Sequence, residues 1–294
     1  MSINQNSHNS HSSSRSLRLP EFIGVGPSRT GTTWLHEALM PVAGLPRLKE
    51  THFFSTRYGR GVKWYAAQFR HCSEGVPIGE ICPYFGTPGA SARVQQHIPR
   101  CKIICTFRDP VERAYSYYKL SRTYGWTRSG FEETLEQLPN ILESSRYAHY
   151  LGQWRMRFGK DGVLVLLYED LLADRQAFVD KICDFIGAKR RSLGDMSFDE
   201  RAENSFAYAP TNAYLARMAS LAAAALAAIR ADRPMKSLAR TALWRFCFAR
   251  GEPFPPLTAE VETRVRMRML AEIEALEAVI QRDLSAWKTI RPAS

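Results

Sequence analysis

The amino-acid sequence predicts an α/β fold: a parallel sheet flanked by helices on both faces, followed by a helical C-terminal part. Three observations carry that expectation. Short apolar runs at Glu21–Gly26, Lys102–Phe107 and Val163–Leu167 are each followed by a polar turn and a helix-like stretch, the rhythm of parallel strands joined by helical crossovers. From about Tyr214 onward the chain is rich in Ala, Leu, Arg and Glu, with no strand signal and one break at Gly251-Glu-Pro-Phe-Pro-Pro256. The 294 residues, 45% hydrophobic, 11% aromatic and 23% charged, suffice for a full core and exclude a disordered, collagen-like or fibrous chain.

Taken in order, residues 1–19 read as a solvated tail rich in Ser, Asn and His, without the apolar run of a secretion signal. Residues 20–294 read as a single domain, with a core over about 20–190 and a helical C-terminal part over about 210–290. In the first unit, Glu21–Gly26 ends in glycine, the loop Pro27–Thr33 follows, and Trp34–Met40 is helix-like. In the second, Asp109 is placed to cap the helix Val111–Tyr118, with Pro110 at its first position. The third runs from Val163–Leu167 through Tyr168-Glu169-Asp170 into a helix over Arg175–Ile186. The apolar run Ala219–Ile229 is far shorter than the roughly twenty residues a membrane span needs, so it reads as an Ala-rich packed helix.

Charge and cysteine usage narrow the chemistry. A formal net charge of +11 favours an anionic ligand, a polyanion or a membrane surface. The six cysteines have no CxxC pair and no companion histidine spacing, which argues against a disulfide framework or a zinc site and for a reducing, cytoplasmic setting. No helix-turn-helix, zinc-finger or RNP-type pattern is present, so no nucleic-acid partner is expected.

The first strand-to-helix loop presents Arg29, Thr30, Gly31, Thr32 and Thr33 at a helix N-terminus, where backbone N–H groups and the helix dipole suit a phosphate. By itself the same loop also describes an ordinary capped turn with an exposed arginine. The GxxxxGK[ST] pattern is absent, with Thr32 where the lysine would stand, which counts against ATP chemistry.

The stretch Pro27-Ser-Arg-Thr-Gly-Thr-Thr-Trp-Leu35 resembles the 5′-phosphosulfate loop of sulfotransferases that use 3′-phosphoadenosine 5′-phosphosulfate (PAPS). Ile104-Cys-Thr-Phe-Arg-Asp-Pro-Val-Glu-Arg-Ala-Tyr-Ser-Tyr-Tyr118 is similar to the family's 3′-phosphate segment, which makes Arg108 and Ser116 the expected grip on that phosphate. Lys49-Glu-Thr-His-Phe-Phe54 resembles the HFF region of the heparan-sulfate-type glycan enzymes, implying Glu50 as general base with His52 as partner or second candidate. Gly79-Glu-Ile-Cys-Pro-Tyr-Phe85 departs from the pattern by carrying Ile81 where relatives place a lysine, and Arg29 stands where many carry another. Lys49 and Lys63 are the candidates to compensate. Tyr147–Trp154 and the Tyr168-Glu-Asp-Leu171 segment match family segments read as mainly structural, and Arg201 heads the best candidate for a loop closing over the nucleotide.

The resemblance implies a P-loop-like core and a PAPS-dependent sulfotransferase, releasing 3′,5′-ADP and requiring no metal. Its donor site would comprise Arg29, Thr30, Gly31, Thr32, Thr33, Trp34, Arg108, Ser116 and Arg201, with Glu50, His52 and Arg29 catalytic. The acceptor would be a hydroxyl of a glycan or glycolipid, with a small hydroxylated metabolite as the alternative. A nucleotide-dependent kinase and a non-catalytic polyanion-binding protein are the rivals from other classes.

Overall fold

A computed structural model of the chain describes residues 17–195, 209–210, 212–228 and 252–289. Four strands, β1 (Phe22–Gly24), β2 (Gly79–Ile81), β3 (Lys102–Phe107) and β4 (Val163–Leu167), form one sheet in the order β2-β1-β3-β4. All three pairings are parallel, with Ile23 lying between Glu80 and Ile103, and Ile103 opposite Val163. The helices are α1 (Thr32–Leu39), α2 (Val62–Ala67), α3 (Ala90–His97), α4 (Pro110–Thr123), α5 (Phe131–Gln137), α6 (Asn140–Glu143) and α7 (Tyr147–Phe158). They continue with α8 (Tyr168–Ala173), α9 (Arg175–Ile186), α10 (Ala213–Ala228), α11 (Ala259–Ile280) and α12 (Ser285–Lys288).

Strand alternation sorts the apolar side chains into two layers. Ile23, Ile103, Cys105, Phe107 and Val163 face one core with Val94, Ala114, Leu151, Trp154, Met269 and Ile273, from α3, α4, α7 and α11. Phe22, Ile81, Ile104 and Leu166 face the other, filled by Leu35, Leu39, Phe178 and Ile182 of α1 and α9. Both faces of the sheet are therefore covered, as a parallel sheet requires.

The three expected strand–helix units are present, and Asp109 caps α4 through Val111 N–H and Glu112 N–H at 2.8 and 3.3 Å, with Pro110 first in the helix. The fourth strand, β2, was not anticipated. It is three residues long with a carboxylate in the middle, and only its neighbour β1 makes it a strand. At the other end, Arg18 falls within the stretch read as tail, yet its guanidinium donates to the carbonyls of Cys72, Ser73 and Val76. Arg18 and Leu19 are thus tied to the packed part of the chain.

The order of strands decides where a site can form. The chain leaves β1 for β2 on one side and returns to β3 on the other, so the loops after β1 and β3 diverge at the carboxyl edge and leave a crevice between them. No helix among the described residues is long and apolar enough to cross a membrane.

Candidate active site

The loop after β1 is built to turn its backbone outward. Gly31 adopts the left-handed conformation at φ 84°, and a Cβ there would sit 3.1 Å from Leu171 and 3.2 Å from the Tyr168 ring, so both backbone and space call for glycine. As N-cap of α1 it offers no side-chain acceptor, which leaves the first-turn N–H groups without a cap. Arg29 is also left-handed, at φ 77°, a conformation costly for a side chain of this kind. Thr30 is 1% exposed; its hydroxyl donates to the Pro27 carbonyl at 2.8 Å and lies 2.7 Å from that of Thr106. Its side chain secures the loop, and only its backbone is left for a ligand.

Arg29 then crosses the crevice. Its Nε donates to Ser116 Oγ at 2.9 Å, joining the first loop to the middle of α4. Arg108, at the end of β3, pairs with Glu112 at 3.2 Å and lies with its guanidinium 4.6 Å from the centre of the Tyr168 ring. Burial, and then the neighbouring Arg108, lowers the Arg29 guanidinium from its ordinary value. Burial followed by Arg108 and Arg29 does the same to Lys119, one turn beyond Ser116. Three cations therefore press on one another at the mouth of the crevice, which is the field an anion would relieve.

The segment after α1 supplies the third wall. Lys49 Nζ donates to Thr33 Oγ1 at 3.3 Å, which brings the next residue, Glu50, beside the first loop. Glu50 and His52 are both left-handed, at φ 57° and 52°, and flank the fully buried Thr51. Glu80 enforces that bend: its carboxylate accepts from Thr51 N–H at 2.6 Å and from the Tyr65 and Tyr84 hydroxyls at 2.8 and 3.3 Å. Burial pushes the Glu80 carboxyl above the usual carboxylate range, only partly offset by those donors. The bend sets His52 Nε2 3.7 Å from Glu50 Oε2, with both side chains about a third exposed (38% and 34%). Burial lowers the His52 imidazole while Glu50 opposes the shift, so the ring is neutral near pH 7 and can accept a proton.

Residues 19–212 match the sulfotransferase domain family. The chain belongs to that family. It is 32% identical over 183 residues to human heparan sulfate glucosamine 3-O-sulfotransferase 6, a match covering 59% of this chain and 54% of that protein. It is 27% identical over 195 residues to human bifunctional heparan sulfate N-deacetylase/N-sulfotransferase 3, covering 58% of this chain and 22% of that protein. The chain thus spans between about a fifth and about half of these relatives' length. The fold is shared with a sulfotransferase from Alicyclobacillus acidocaldarius, at a TM-score of 0.66 and 20% identity, covering 92% of this chain and all of that one.

Within this sulfotransferase domain the structure gathers most of the sequence-predicted residues and moves some. Arg29, Gly31, Thr33, Arg108 and Ser116 line the crevice, Glu50 and His52 stand at its side, and Thr32 opens α1 while 8% exposed. Trp34, two residues further on, is also 8% exposed. As part of the buried face of α1 with Leu35 and Ala38, it packs edge-to-face on Phe178 of α9, 6.2 Å between ring centres, and belongs to the core. Ile81 lies in the core, 1% exposed; of the two lysines named to compensate for the one absent there, Lys49 is hydrogen-bonded to Thr33 of the first loop. Arg201 and the loop it heads lie outside the described residues. Sequence reasoning missed Glu80, Lys119 and the ring of Tyr168. A carboxylate inside a short apolar run was the one available signal for Glu80.

Proposed function

We propose that this sulfotransferase moves the sulfuryl group of PAPS to a hydroxyl of a glycan or glycolipid, releasing 3′,5′-ADP. The observation that carries the reading is the Arg29–Ser116 hydrogen bond, which brings together the two stretches expected to hold the two phosphate ends of one nucleotide. Arg29, the uncapped first turn of α1 and Thr33 suit the 5′ end; Arg108 and Ser116 suit the 3′-phosphate, for which a forked guanidinium and a hydroxyl are apt partners. The acceptor oxygen attacks sulfur as the bond from sulfur to the 5′-phosphate oxygen breaks. Glu50 takes the hydroxyl proton, with neutral His52 beside it, and the charge growing on the leaving phosphate falls among Arg29, Lys49 and the α1 amides. By analogy with phosphoryl transfer, positioning and electrostatics then count for more than base strength. The glycan acceptor rests on the kinship with heparan sulfate enzymes and on the +11 charge of the chain.

The test is transfer of labelled sulfate from PAPS across oligosaccharides, glycolipids and phenols, run on the parent and on Glu50→Gln. Turnover should fall by about 10²–10⁴-fold in the variant, while 3′,5′-ADP binds as before. Undiminished turnover would move the base to His52. Transfer from ATP in place of PAPS would make the protein a kinase, and salt-sensitive polyanion binding without nucleotide binding would make it a non-catalytic binder.

A further inference from the structure

The turn that carries Arg108 is held by parts of the chain that follow it by 39 residues or more. Tyr147 at the start of α7 donates its hydroxyl to the Arg108 carbonyl at 2.9 Å, and the next amide, Asp109 N–H, is held by Glu169 Oε1 of α8 at 3.3 Å. The same Glu169 oxygen accepts from Trp287 Nε1 of α12 at 2.9 Å. Asp109 spends one carboxylate oxygen on capping α4 and gives the other to Arg266 of α11 at 2.8 Å. Arg266 is 3% exposed, and its two terminal nitrogens also reach the Trp287 carbonyl and, at 2.5 Å, Glu262. Both α11 and α12 lie beyond the part of the chain that matches the family, residues 19–212.

Stability alone accounts poorly for this arrangement. A buried ion pair is commonly no better than apolar side chains of the same volume, because desolvation consumes most of the attraction. Here the burial is also imperfect: Arg266 Nε and Glu169 Oε2 are buried with no hydrogen-bond partner. What the cluster does supply is direction. With its carbonyl, the following amide and the adjacent carboxylate each tied to a different helix, the Arg108 backbone has one orientation from which its side chain can reach over Tyr168 into the crevice.

We propose that Arg266 is a positioning residue that acts through Asp109 on Arg108, so that the C-terminal helices set how well the site recognises a ribose 3′-phosphate. The inference rests on the PAPS reading above. Its test compares the affinities of 3′,5′-ADP and 5′-AMP, which differ only in that phosphate, by calorimetry on the parent, Arg266→Lys and Asp109→Asn, with melting temperature recorded alongside. Arg266→Lys keeps the charge and loses the fork, whereas Asp109→Asn keeps an oxygen to cap α4 and loses the ion pair. Each variant should reduce the ratio of the two affinities by about tenfold while 5′-AMP binding stays near the parent value. A ratio equal to the parent's in whichever variant folds, with only the melting temperature lowered, overturns the proposal and leaves Arg266 a purely structural group. If the parent itself fails to distinguish the two nucleotides, the PAPS reading falls first, and the positioning role with it.

Discussion

The two loops that flank the crevice differ in what holds them. The first, Pro27–Gly31, is secured mainly over short range or by its neighbouring strand, through the Thr30 hydroxyl on Pro27 and Thr106, and it carries strained backbone at Arg29. The second, Arg108–Asp109, has regular neighbours and is held by Tyr147, Glu169 and Arg266, from three different helices. One loop leans on itself, its neighbouring strand and α4, and the other chiefly on helices that follow much later in the chain. A local device can be recognised in a short stretch of sequence, whereas an assembled one can be recognised there but not explained.

Arg113 is the joint between them and the place where the comparison breaks most severely. Fully buried on α4, it donates to Ser145 Oγ at 2.8 Å, to the Ser28 carbonyl of the first loop at 3.3 Å, and to the Ile141 carbonyl. Arg113→Met would leave those acceptors buried without their donor, at a cost of about 3 kcal/mol or more. Thr30→Val, which removes a neutral hydroxyl from the first loop alone, should cost about 1 kcal/mol. Urea denaturation of both variants checks this. Equal losses would mean that the first loop depends on its own contacts as heavily as the whole assembly does on Arg113, and the contrast between the regions would disappear.

A smaller effect separates the two loops by ligand. Arg108→Ala should weaken 3′,5′-ADP by about 10–100-fold, the range set by losing a charged hydrogen bond of about 1.5–3 kcal/mol, while 5′-AMP is little changed. Arg29→Ala should weaken both nucleotides, because Arg29 belongs to the first loop and also orders Ser116. Calorimetry with the two nucleotides reads the pattern directly. The reverse pattern would exchange the phosphate assignments of the two loops.

The same contrast explains how much was legible beforehand. β1, β3 and β4 declare themselves as apolar runs ending in a turn and a helix, and the helix over Arg175–Ile186 is found at the expected bounds because Asp174 caps it and Gly187 ends it. Arg108 and Ser116 could be named together because both lie on one strand–helix unit, but the sequence did not show that Arg108 pairs with Glu112 and that Ser116 accepts from Arg29 of the other loop. Trp34 shares the buried face of α1 with Leu35 and Ala38, a placement that follows from a helix turning successive side chains by about 100° and that adjacency within a motif does not give. Glu80, Arg113 and Arg266 stayed hidden for another reason: what makes each of them matter is a partner far along the chain, and no local spacing encodes that.

The smallest expected effect tests the first region by acid. His36 lies on α1, directly behind the first loop, and burial, aided by Lys49, lowers its imidazole from 6.5 to about 4. Its Nδ1 is buried without a hydrogen-bond partner, so nothing there welcomes a second proton. As pH falls through 6.5 the unfolded chain takes up that proton first, and the folded chain takes it up only near pH 4. The stability His36 contributes is thus complete above pH 6.5 and is lost progressively between 6.5 and about 4. Because the ring is partly exposed, solvent screening reduces the loss to about 1–2 kcal/mol. His36→Gln keeps a polar side chain and cannot titrate. The difference in unfolding free energy between parent and variant should therefore narrow or change sign over that interval and be flat above it, while His52, lowered in the same sense, cancels in the subtraction. A difference that is constant from pH 7 to pH 4 would show that α1 accommodates the charge, and that acid does not single out the first loop.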